Sequence, residues 1–228
     1  AALPACDSEI FIESSKYLPC FDAINNYGNM ETGDTAFDNI FSNTNPVIHC
    51  PATILGVSTM ENFGVVFGTK PTDFSIYSHA FCPSIAEVQK QFYAEELRVA
   101  EKMGFEMDQI PDDQWFQRSS AYGLAYMGPK YRVPFDDPYE IQFGTGPFNL
   151  ENRYITEDVP VGCYLMSQLG KKYGVETPII DSMILLASTM LKRDLAGQSK
   201  YTLDYLEIGH MTHEQLQAYL RQGVFTPK

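Results

Sequence analysis

The feature of this sequence that most constrains its fold is a series of helix start and stop signals that begins near Pro46 and continues to the end of the chain. The clearest signals lie in the middle, where Ser84 and Glu87 form a capping-box pattern and Gly104 ends the run. Apolar side chains between these signals recur at helical spacing, which predicts one long amphipathic helix. They are Ile85, Val88, Phe92, Val99 and Met103.

Two more helices are predicted on either side of Gly174. The first spans Thr156–Tyr173, with Thr156 as its N-cap and Gly174 in the left-handed position that closes many helices. Thr177 followed by Pro178 indicates an N-cap and a first helical residue, and the helix that they open continues to Leu191. Because its apolar face is broad, we expect this second helix to be buried.

The two ends of the chain carry different signals. Near the carboxyl end, Thr212 and Gln215 form another capping box, and Gly223 closes the helix that follows. Near the amino end, β-favouring residues over Ile10–Cys20 are followed by stretches rich in Asn, Gly and Thr. We therefore expect strand, turn and short connecting pieces over residues 1–44, and mainly α structure after them.

Composition argues against several classes of partner. The sequence has 16 Lys and Arg against 29 Asp and Glu, a formal net charge of −13, which repels phosphate backbones and anionic membrane surfaces. We therefore expect neither nucleic acid nor a membrane as a partner. The five cysteines are widely spread without a CxxC pair, and the first residues lack the features of a signal peptide. These observations favour reduced cysteines, no bound metal and a cytoplasmic location.

The segment Asn45–His49 places a histidine close to the start of a predicted helix. Imidazole changes its charge near neutral pH, which suits it to proton exchange with a carbonyl or an amine. The residues alone also fit a histidine packed in the core, and that alternative is the more common one. The neighbouring Cys50 is expected to be a small buried thiol rather than a nucleophile.

A second candidate segment contains Arg153 and Asp158. The guanidinium of Arg153 could bind a substrate carboxylate through two parallel hydrogen bonds, and the carboxylate of Asp158 could orient a nearby imidazole. An equally simple interpretation is that Asp158 complements the dipole at the start of a helix. Taken without further information, the residue pattern favours that second interpretation.

Three ordered segments together resemble one enzyme family. The runs Asn152–Gly162 and Gly174–Asp181 are similar to the Arg-Tyr, Glu-Asp-Val-Pro and Gly-Val-x-Thr-Pro succession in the C-terminal domain of octopine, nopaline and related opine dehydrogenases. Asn45–His49 resembles the segment that carries the catalytic histidine of that family. A weaker similarity extends to Ala2–Cys6 and to Leu206–Tyr219, so the resemblance covers most of the chain.

The resemblance implies a mainly α fold, with a helical catalytic domain over residues 45–228. Residues 1–44 would be the strand-containing tail of an otherwise absent Rossmann-type domain. The implied reaction is the NAD(P)H-dependent condensation of a 2-oxo acid with an amino acid. In it His49 would exchange a proton with the keto or imine centre. Asp158 would hold the imidazole and stabilise its cation, and Arg153 would bind the oxo acid carboxylate.

The glycine-rich motif that binds dinucleotides, GxGxxG, does not occur in the sequence. The most similar segment, Gly144–Pro147, lacks the third glycine and lies in a proline-rich stretch. We therefore expect NAD or NADP to bind mostly outside this chain, on the missing nucleotide-binding domain. The chain alone should bind NADH with negligible affinity and be inactive.

Two departures from the family pattern leave the substrate open. The family often has His where Asn152 stands, and Asp136–Phe148 match nothing in the pattern. A dehydrogenase of similar plan that acts on a hydroxy acid or a sugar phosphate is one alternative, although Lys130 and Arg132 are the only candidate cation cluster outside the helices for a phosphate. A non-catalytic binding or dimerisation module derived from such a domain is another. The sequence leaves the oligomeric state, including a homodimer, undecided.

Overall fold

The computed structural model describes residues 4–15, 33, 35–107 and 145–227, and within them the chain is mainly helical, which confirms the predicted fold class. Two π-helical segments, Ile76–Ala80 and Asp158–Cys163, lie between the α-helices. Extended pairing among the described residues is limited to an isolated parallel bridge between Ser75 and Gly146. The α-helices are α1 (Ser8–Ser15), α2 (Ala36–Phe41), α3 (Asn45–Leu55), α4 (Val57–Phe67), α5 (Pro83–Lys102), α6 (Arg153–Thr156), α7 (Tyr164–Tyr173), α8 (Pro178–Leu191) and α9 (His213–Gln222).

The chain divides into two compact units. The first combines residues 1–43 with residues 203–228, and the second is Thr44–Thr202. The assignment of residues 1–44 to a dinucleotide-binding domain and of residues 45–228 to a catalytic domain stays a prediction. None of the helices described here is both long enough and apolar enough to cross a bilayer.

The carboxyl-terminal helix of the first unit follows its sequence signals. The hydroxyl of Thr212 and the side chain of Gln215 form the predicted capping box at the start of α9. Gly223 ends the helix in the left-handed conformation, with a φ of 70°. This part of the prediction is confirmed.

The strand expected within Ile10–Cys20 is wrong for its described part. Residues 10–15 belong to helix α1, and residues 16–20 lie outside the described part of the chain. Ile10 and Phe11 are 67% and 47% exposed, so no element among the described residues covers them as a sheet would. The strand preference of single β-branched and aromatic residues depends strongly on such packing, which explains the error.

Helix α3 forms the centre of the second unit. Every residue from Pro46 to Ile54 is buried, so the helix is covered on all sides rather than along one stripe. Pro46 lies in the first turn, where its missing N–H would have had no partner within the helix. Helices α5, α6 and α8 and both π-helical segments pack around α3. This burial fixes the backbone that carries His49.

Helix α5 confirms the long amphipathic helix, but it begins earlier than the capping pattern indicates. Its first residue is Pro83, and Cys82 occupies the N-cap position. Ser84 therefore lies inside the first turn and caps nothing. The apolar face predicted from the spacing is buried, with Phe92, Val99 and the C-cap Met103 all fully inaccessible.

Helix α8 begins at Pro178 as predicted, yet its amino end is capped from another helix. The Glu95 carboxylate, on α5, accepts hydrogen bonds from the N–H groups of Ile179 and Ile180 at 2.9 and 3.0 Å. The side chain of Thr177 makes no capping bond. Burial raises the pKa of Glu95 in spite of these two bonds. A cap that arrives from a helix 84 positions away leaves no local signal in the sequence.

The expectation that α8 is buried holds for the face with the predicted spacing and is wrong for the rest of the helix. Ile180 and Met183 are buried, but Leu185 is 67% exposed and Met190 is 39% exposed. Only one stripe of this apolar helix contacts its neighbours in the second unit. Before it, Gly174 ends α7 in the predicted left-handed conformation, with a φ of 70°.

The continuous helix predicted over Thr156–Tyr173 is wrong in its first half. The chain forms the short helix α6, then the π-helical segment Asp158–Cys163, and then α7. The π-helical segment contains Pro160. The missing N–H and the ring of this proline disrupt the regular α-helical bonding pattern. Thr156 is not an N-cap, and its hydroxyl donates to the carbonyl of Asn152 at 2.9 Å.

The buried carboxyl group of Glu96, on α5, makes folding depend on pH. Glu96 is 4% exposed, and its Oε2 has no hydrogen-bond partner. Burial, and then the charge of Glu95, raise the pKa of Glu96 well above its usual value of 4.5. The stability contributed by an acid with a raised pKa is lost as the pH rises through the folded-state value. We therefore expect Glu96→Gln to gain free energy of unfolding relative to the wild type between about pH 5 and about pH 8.

Denaturant unfolding of both proteins at the two pH values measures this difference. Glu87→Gln is the matched control on the same helix, because the Glu87 side chain is 67% exposed. The difference in free energy of unfolding between Glu87→Gln and the wild type should change by no more than about 0.5 kcal/mol between the two pH values. A difference between Glu96→Gln and wild type that is the same at both pH values would contradict the prediction.

Candidate active site

His49 lies in the middle of a chain of hydrogen-bonded side chains. The residue is 6% exposed. Its Nδ1 is 2.7 Å from Oδ2 of Asp158, and its Nε2 is 3.0 Å from the hydroxyl of Tyr77. The structure therefore brings His49 and Asp158 within hydrogen-bond reach across 109 positions of the chain, which is the proximity that the sequence predicted.

A second tyrosine covers one face of the imidazole. The ring of Tyr154 stacks on His49, with centroids 3.7 Å apart and an angle of 13° between the planes. The hydroxyl of Tyr154 is 3.4 Å from the hydroxyl of Tyr77. We refer to Asp158, His49, Tyr77 and Tyr154 as the His49 cluster. The other three members contact both ring nitrogens and one face of the His49 imidazole.

The contacts of the cluster determine where protons can reside. A carboxylate only accepts hydrogen bonds, so Nδ1–H of His49 donates to Asp158. Nε2 of the neutral ring then carries the lone pair and accepts from the Tyr77 hydroxyl. When the ring gains a second proton, Nε2–H donates instead, and the nearby carboxylate stabilises the cation. The cluster can therefore hold a proton at Nε2 and release it.

Close packing between α3 and the π-helical segment makes the pairing of His49 with Asp158 possible. A Cβ atom on Gly162 would clash with Cγ of Pro46, so any larger residue would push the two elements apart. Asp158 begins the segment that contains Gly162. The close approach that glycine permits therefore carries the carboxylate to the imidazole.

The thiol of Cys50, next to His49, is unsuited to nucleophilic attack. Cys50 is fully buried, and its S–H donates to the carbonyl of Tyr154 at 3.6 Å. Burial first, and then the neighbouring Cys163, raise the pKa of the Cys50 thiol well above its ordinary value. Because the thiolate is the nucleophilic form, this thiol is inert. The prediction of a small buried thiol is confirmed.

Arg153 is the first residue of α6, and its side chain is 74% exposed. A helix capped by Thr156, as the sequence predicted, would have left Arg153 on the loop before it, but Asn152 is the cap and Arg153 lies within the helix. The Asn152 side chain accepts from the N–H of Tyr154 at 2.9 Å and starts the helix there. The guanidinium of Arg153 pairs with Glu157 at 3.2 Å rather than with a member of the His49 cluster.

Arg153 lines a pocket together with Tyr154, a member of the cluster. The pocket has a volume of about 340 Å³ and is lined by Thr145–Asn149 and by Glu151–Tyr154. Tyr154 is common to both features, because it lines this pocket and stacks on His49. Lys130, Arg132 and most of Asp136–Phe148 lie outside the described residues.

Sequence reasoning missed both tyrosines of the cluster. Tyr154 belongs to the Arg-Tyr pair of the recognised run, so a signal for it was present. Tyr77 had no comparable signal, because it lies 28 positions from His49 and on a different element. Its position depends on the π-helical segment Ile76–Ala80, which no local pattern indicates.

Comparison with known proteins identifies the family. The family model for the alpha-helical domain of NAD/NADP octopine/nopaline dehydrogenases matches residues 32–191. The chain belongs to this family of oxidoreductases. All four members of the His49 cluster, together with Arg153, lie within the matched residues.

Curated relatives are similar over much of this chain. Opine dehydrogenase of Arthrobacter sp. strain 1C is 26% identical over 219 residues, which is 93% of this chain and 53% of that protein. Vitopine synthase of Allorhizobium ampelinum is 28% identical over 159 residues, 68% of this chain and 39% of that protein. The chain therefore spans about half the length, or less, of the curated relatives that it matches.

Solved structures of octopine dehydrogenase are also similar to this chain. The complex with NADH and L-arginine has a TM-score of 0.41 and 17% identity, over 76% of this chain and 48% of that one. The complex with NADH and pyruvate has a TM-score of 0.39 and 18% identity, over 76% and 47% respectively.

Proposed function

We propose that this chain is the substrate-binding and catalytic part of an NAD(P)H-dependent opine-type dehydrogenase, which reductively condenses a 2-oxo acid with an amino acid. The observation that carries the proposal is the contact of 2.7 Å between His49 and Asp158, inside the region that matches the family. A buried imidazole held by a carboxylate is an arrangement suited to general acid and base catalysis.

The chemistry of the proposed reaction defines a task for the cluster. Condensation of an amine with a ketone releases water, and reduction of the resulting imine adds a hydride. The whole sequence takes up one proton, which a positioned acid must deliver. The His49 imidazolium is that acid, and the Asp158 carboxylate stabilises its charge until the proton leaves.

The exposed guanidinium of Arg153 is the proposed binding group for the oxo acid. Arg153 and Tyr154 line the same pocket, so an oxo acid whose carboxylate is bound there would lie next to one residue of the cluster. A bidentate pair between guanidinium and carboxylate fixes orientation as well as position. The Glu157 carboxylate lies 3.2 Å from Arg153. When the oxo acid binds, its carboxylate would replace that of Glu157 as the partner of the guanidinium.

The described residues do not fit the pyrophosphate of a nicotinamide dinucleotide. Gly146 pairs with Ser75 in the isolated bridge and does not lie in a turn between a strand and a helix. We therefore propose that NAD or NADP binds mostly outside this chain, on a nucleotide-binding domain, and supplies the hydride from there. A cytoplasmic location and a homodimer stay predictions.

The proposal is tested with the full-length protein. Oxidation of NADH or NADPH that requires both a 2-oxo acid and an amino acid, with a secondary amine as the product by mass spectrometry, would support it. Turnover of a hydroxy acid without any amine would contradict it and favour a related dehydrogenase. A protein that oxidises neither cofactor with any such pair would favour a non-catalytic module.

Arg153→Ala should raise the KM for the oxo acid by about 10- to 100-fold, because the variant loses a charge-assisted pair of hydrogen bonds to the substrate carboxylate. The KM for the amino acid should change much less. Steady-state kinetics with each substrate varied in turn measure both values. Arg98→Ala is the matched control, because Arg98 is a half-exposed arginine on α5, away from the pocket. An unchanged KM for the oxo acid in Arg153→Ala would remove Arg153 from the binding site.

A further inference from the structure

The imidazole of His49 has little room for direct contact with a substrate. Asp158 occupies Nδ1, Tyr77 occupies Nε2 and Tyr154 covers one face of the ring. The residue as a whole is 6% exposed. A substrate atom could reach Nε2 only if Tyr77 moved away. The group that adjoins Nε2 is therefore a phenol that can itself both donate and accept a proton.

Tyr77 lies between the imidazole and Tyr154, a residue that lines the substrate pocket. Its hydroxyl lies 3.0 Å from Nε2 of His49 and 3.4 Å from the hydroxyl of Tyr154, which lines the pocket. The backbone next to Tyr77 is joined to another pocket wall, because the Ile76 N–H donates to the carbonyl of Gly146 at 2.9 Å. Tyr77 itself is half-buried, whereas Ile76 is fully buried. The phenol thus lies between Nε2 of the imidazole and the hydroxyl of Tyr154, the cluster residue that lines the pocket.

We propose that Tyr77 carries the proton between Nε2 of His49 and the substrate. This inference rests on the proposed function, and it adds a catalytic residue to that site. During release of water from the condensed substrate, the C–O bond breaks and its electron pair leaves with the oxygen. The Tyr77 O–H proton passes to that oxygen, and the Nε2–H proton of the imidazolium passes to Tyr77. The nitrogen lone pair forms the C=N bond, and Tyr77 is a neutral phenol before and after the step.

Tyr77→Phe in the full-length protein removes only the hydroxyl oxygen. We expect kcat to fall by roughly 10- to 100-fold, because the variant lacks one proton-transfer group. The KM values of both substrates should change less than about twofold. In mixtures of light and heavy water, the wild-type rate should depend on more than one transferred proton, because two protons move together. Tyr201→Phe is the matched control, since Tyr201 is 47% exposed and outside the cluster, and it should retain the wild-type kcat.

A second variant keeps the test informative if Tyr77→Phe folds poorly. Fluorotyrosine at position 77 preserves the ring and the hydroxyl but makes the phenol more acidic. A relay through this phenol predicts that the pH profile of kcat moves toward lower pH, a change that a merely structural tyrosine would not produce. The ring nitrogens of His49 in a protein labelled with ¹⁵N-histidine report independently whether Nε2 is hydrogen-bonded to Tyr77.

The outcomes separate this inference from the proposed function. A wild-type protein that forms secondary amines, with full kcat in Tyr77→Phe and an unmoved pH profile in the fluorotyrosine protein, overturns the relay and leaves the proposed function intact. An Nε2 resonance that is the same in wild type and in Tyr77→Phe also overturns it. A wild-type protein that forms no secondary amine from any substrate pair overturns the proposed function, and the relay with it.

Discussion

His49→Gln should lower kcat for the reductive condensation by about 10²- to 10⁴-fold, the usual contribution of a positioned general acid. Glutamine keeps a polar side chain on α3 but cannot exchange a proton near neutral pH. The affinity for the nicotinamide cofactor should stay the same, because the described residues offer no site for it. Steady-state kinetics and calorimetric titration of NADH or NADPH into the full-length protein separate the two effects.

The control for this prediction is His210→Gln. His210 is half-buried and its Nε2 is 2.8 Å from the carbonyl of Thr226, so it is also a hydrogen-bonded histidine, but it belongs to the other unit. Its substitution should leave kcat unchanged. A His49→Gln protein that retains more than about a tenth of the wild-type kcat would show that another group supplies the proton.

The helices of this chain were predictable where the signals are local. The spacing of apolar residues along α5, the Thr-Pro start of α8 and the capping box of α9 each act within a few residues, so sequence reasoning located these helices. The errors arose where distant residues decide the outcome. Glu95 caps α8 from α5, and exposure of Leu185 depends on which elements happen to cover that face.

The candidate site was predictable to a different degree at each residue. The residues alone favoured a core histidine for His49 and a dipole interaction for Asp158, and the family resemblance reversed both preferences. His49 is in fact both buried in the core and bonded to Asp158, so the two interpretations were not exclusive. Tyr77 was missed because a π-helical segment sets its direction, and no periodicity read from the sequence reports such a segment.

Pro160 and Gly162 show why the path between Arg153 and Asp158 could not be read from helix periodicity. A regular helix through this region would hold the two side chains at a fixed angle around one axis. The chain instead changes from α6 to a π-helical segment at Asp158, and Gly162 lets that segment approach Pro46 closely. The carboxylate therefore reaches His49 from one element, while the guanidinium projects into solvent from another.

Asp158→Asn should lower kcat by roughly 10²- to 10³-fold, although it changes one atom and leaves the packing intact. The carboxylate accepts from Nδ1–H at 2.7 Å and leaves the lone pair on Nε2. An amide can donate its N–H to Nδ1, which would place the ring proton on Nε2, next to Tyr77. It also removes the charge that stabilises the imidazolium. The ¹⁵N spectrum of labelled histidine should show this change of tautomer, and kinetics on the same protein should show the lower rate.

Asp181→Asn is the control for Asp158→Asn, because Asp181 is also half-buried and accepts a hydrogen bond, from the hydroxyl of Ser167 at 2.6 Å. It should retain the wild-type kcat. The double variant of His49→Gln and Asp158→Asn should be about as slow as His49→Gln alone, because groups that act as one unit have non-additive effects. Losses that multiply in the double variant would mean that Asp158 contributes by a route other than the imidazole, and its assignment as the partner of His49 would then be wrong.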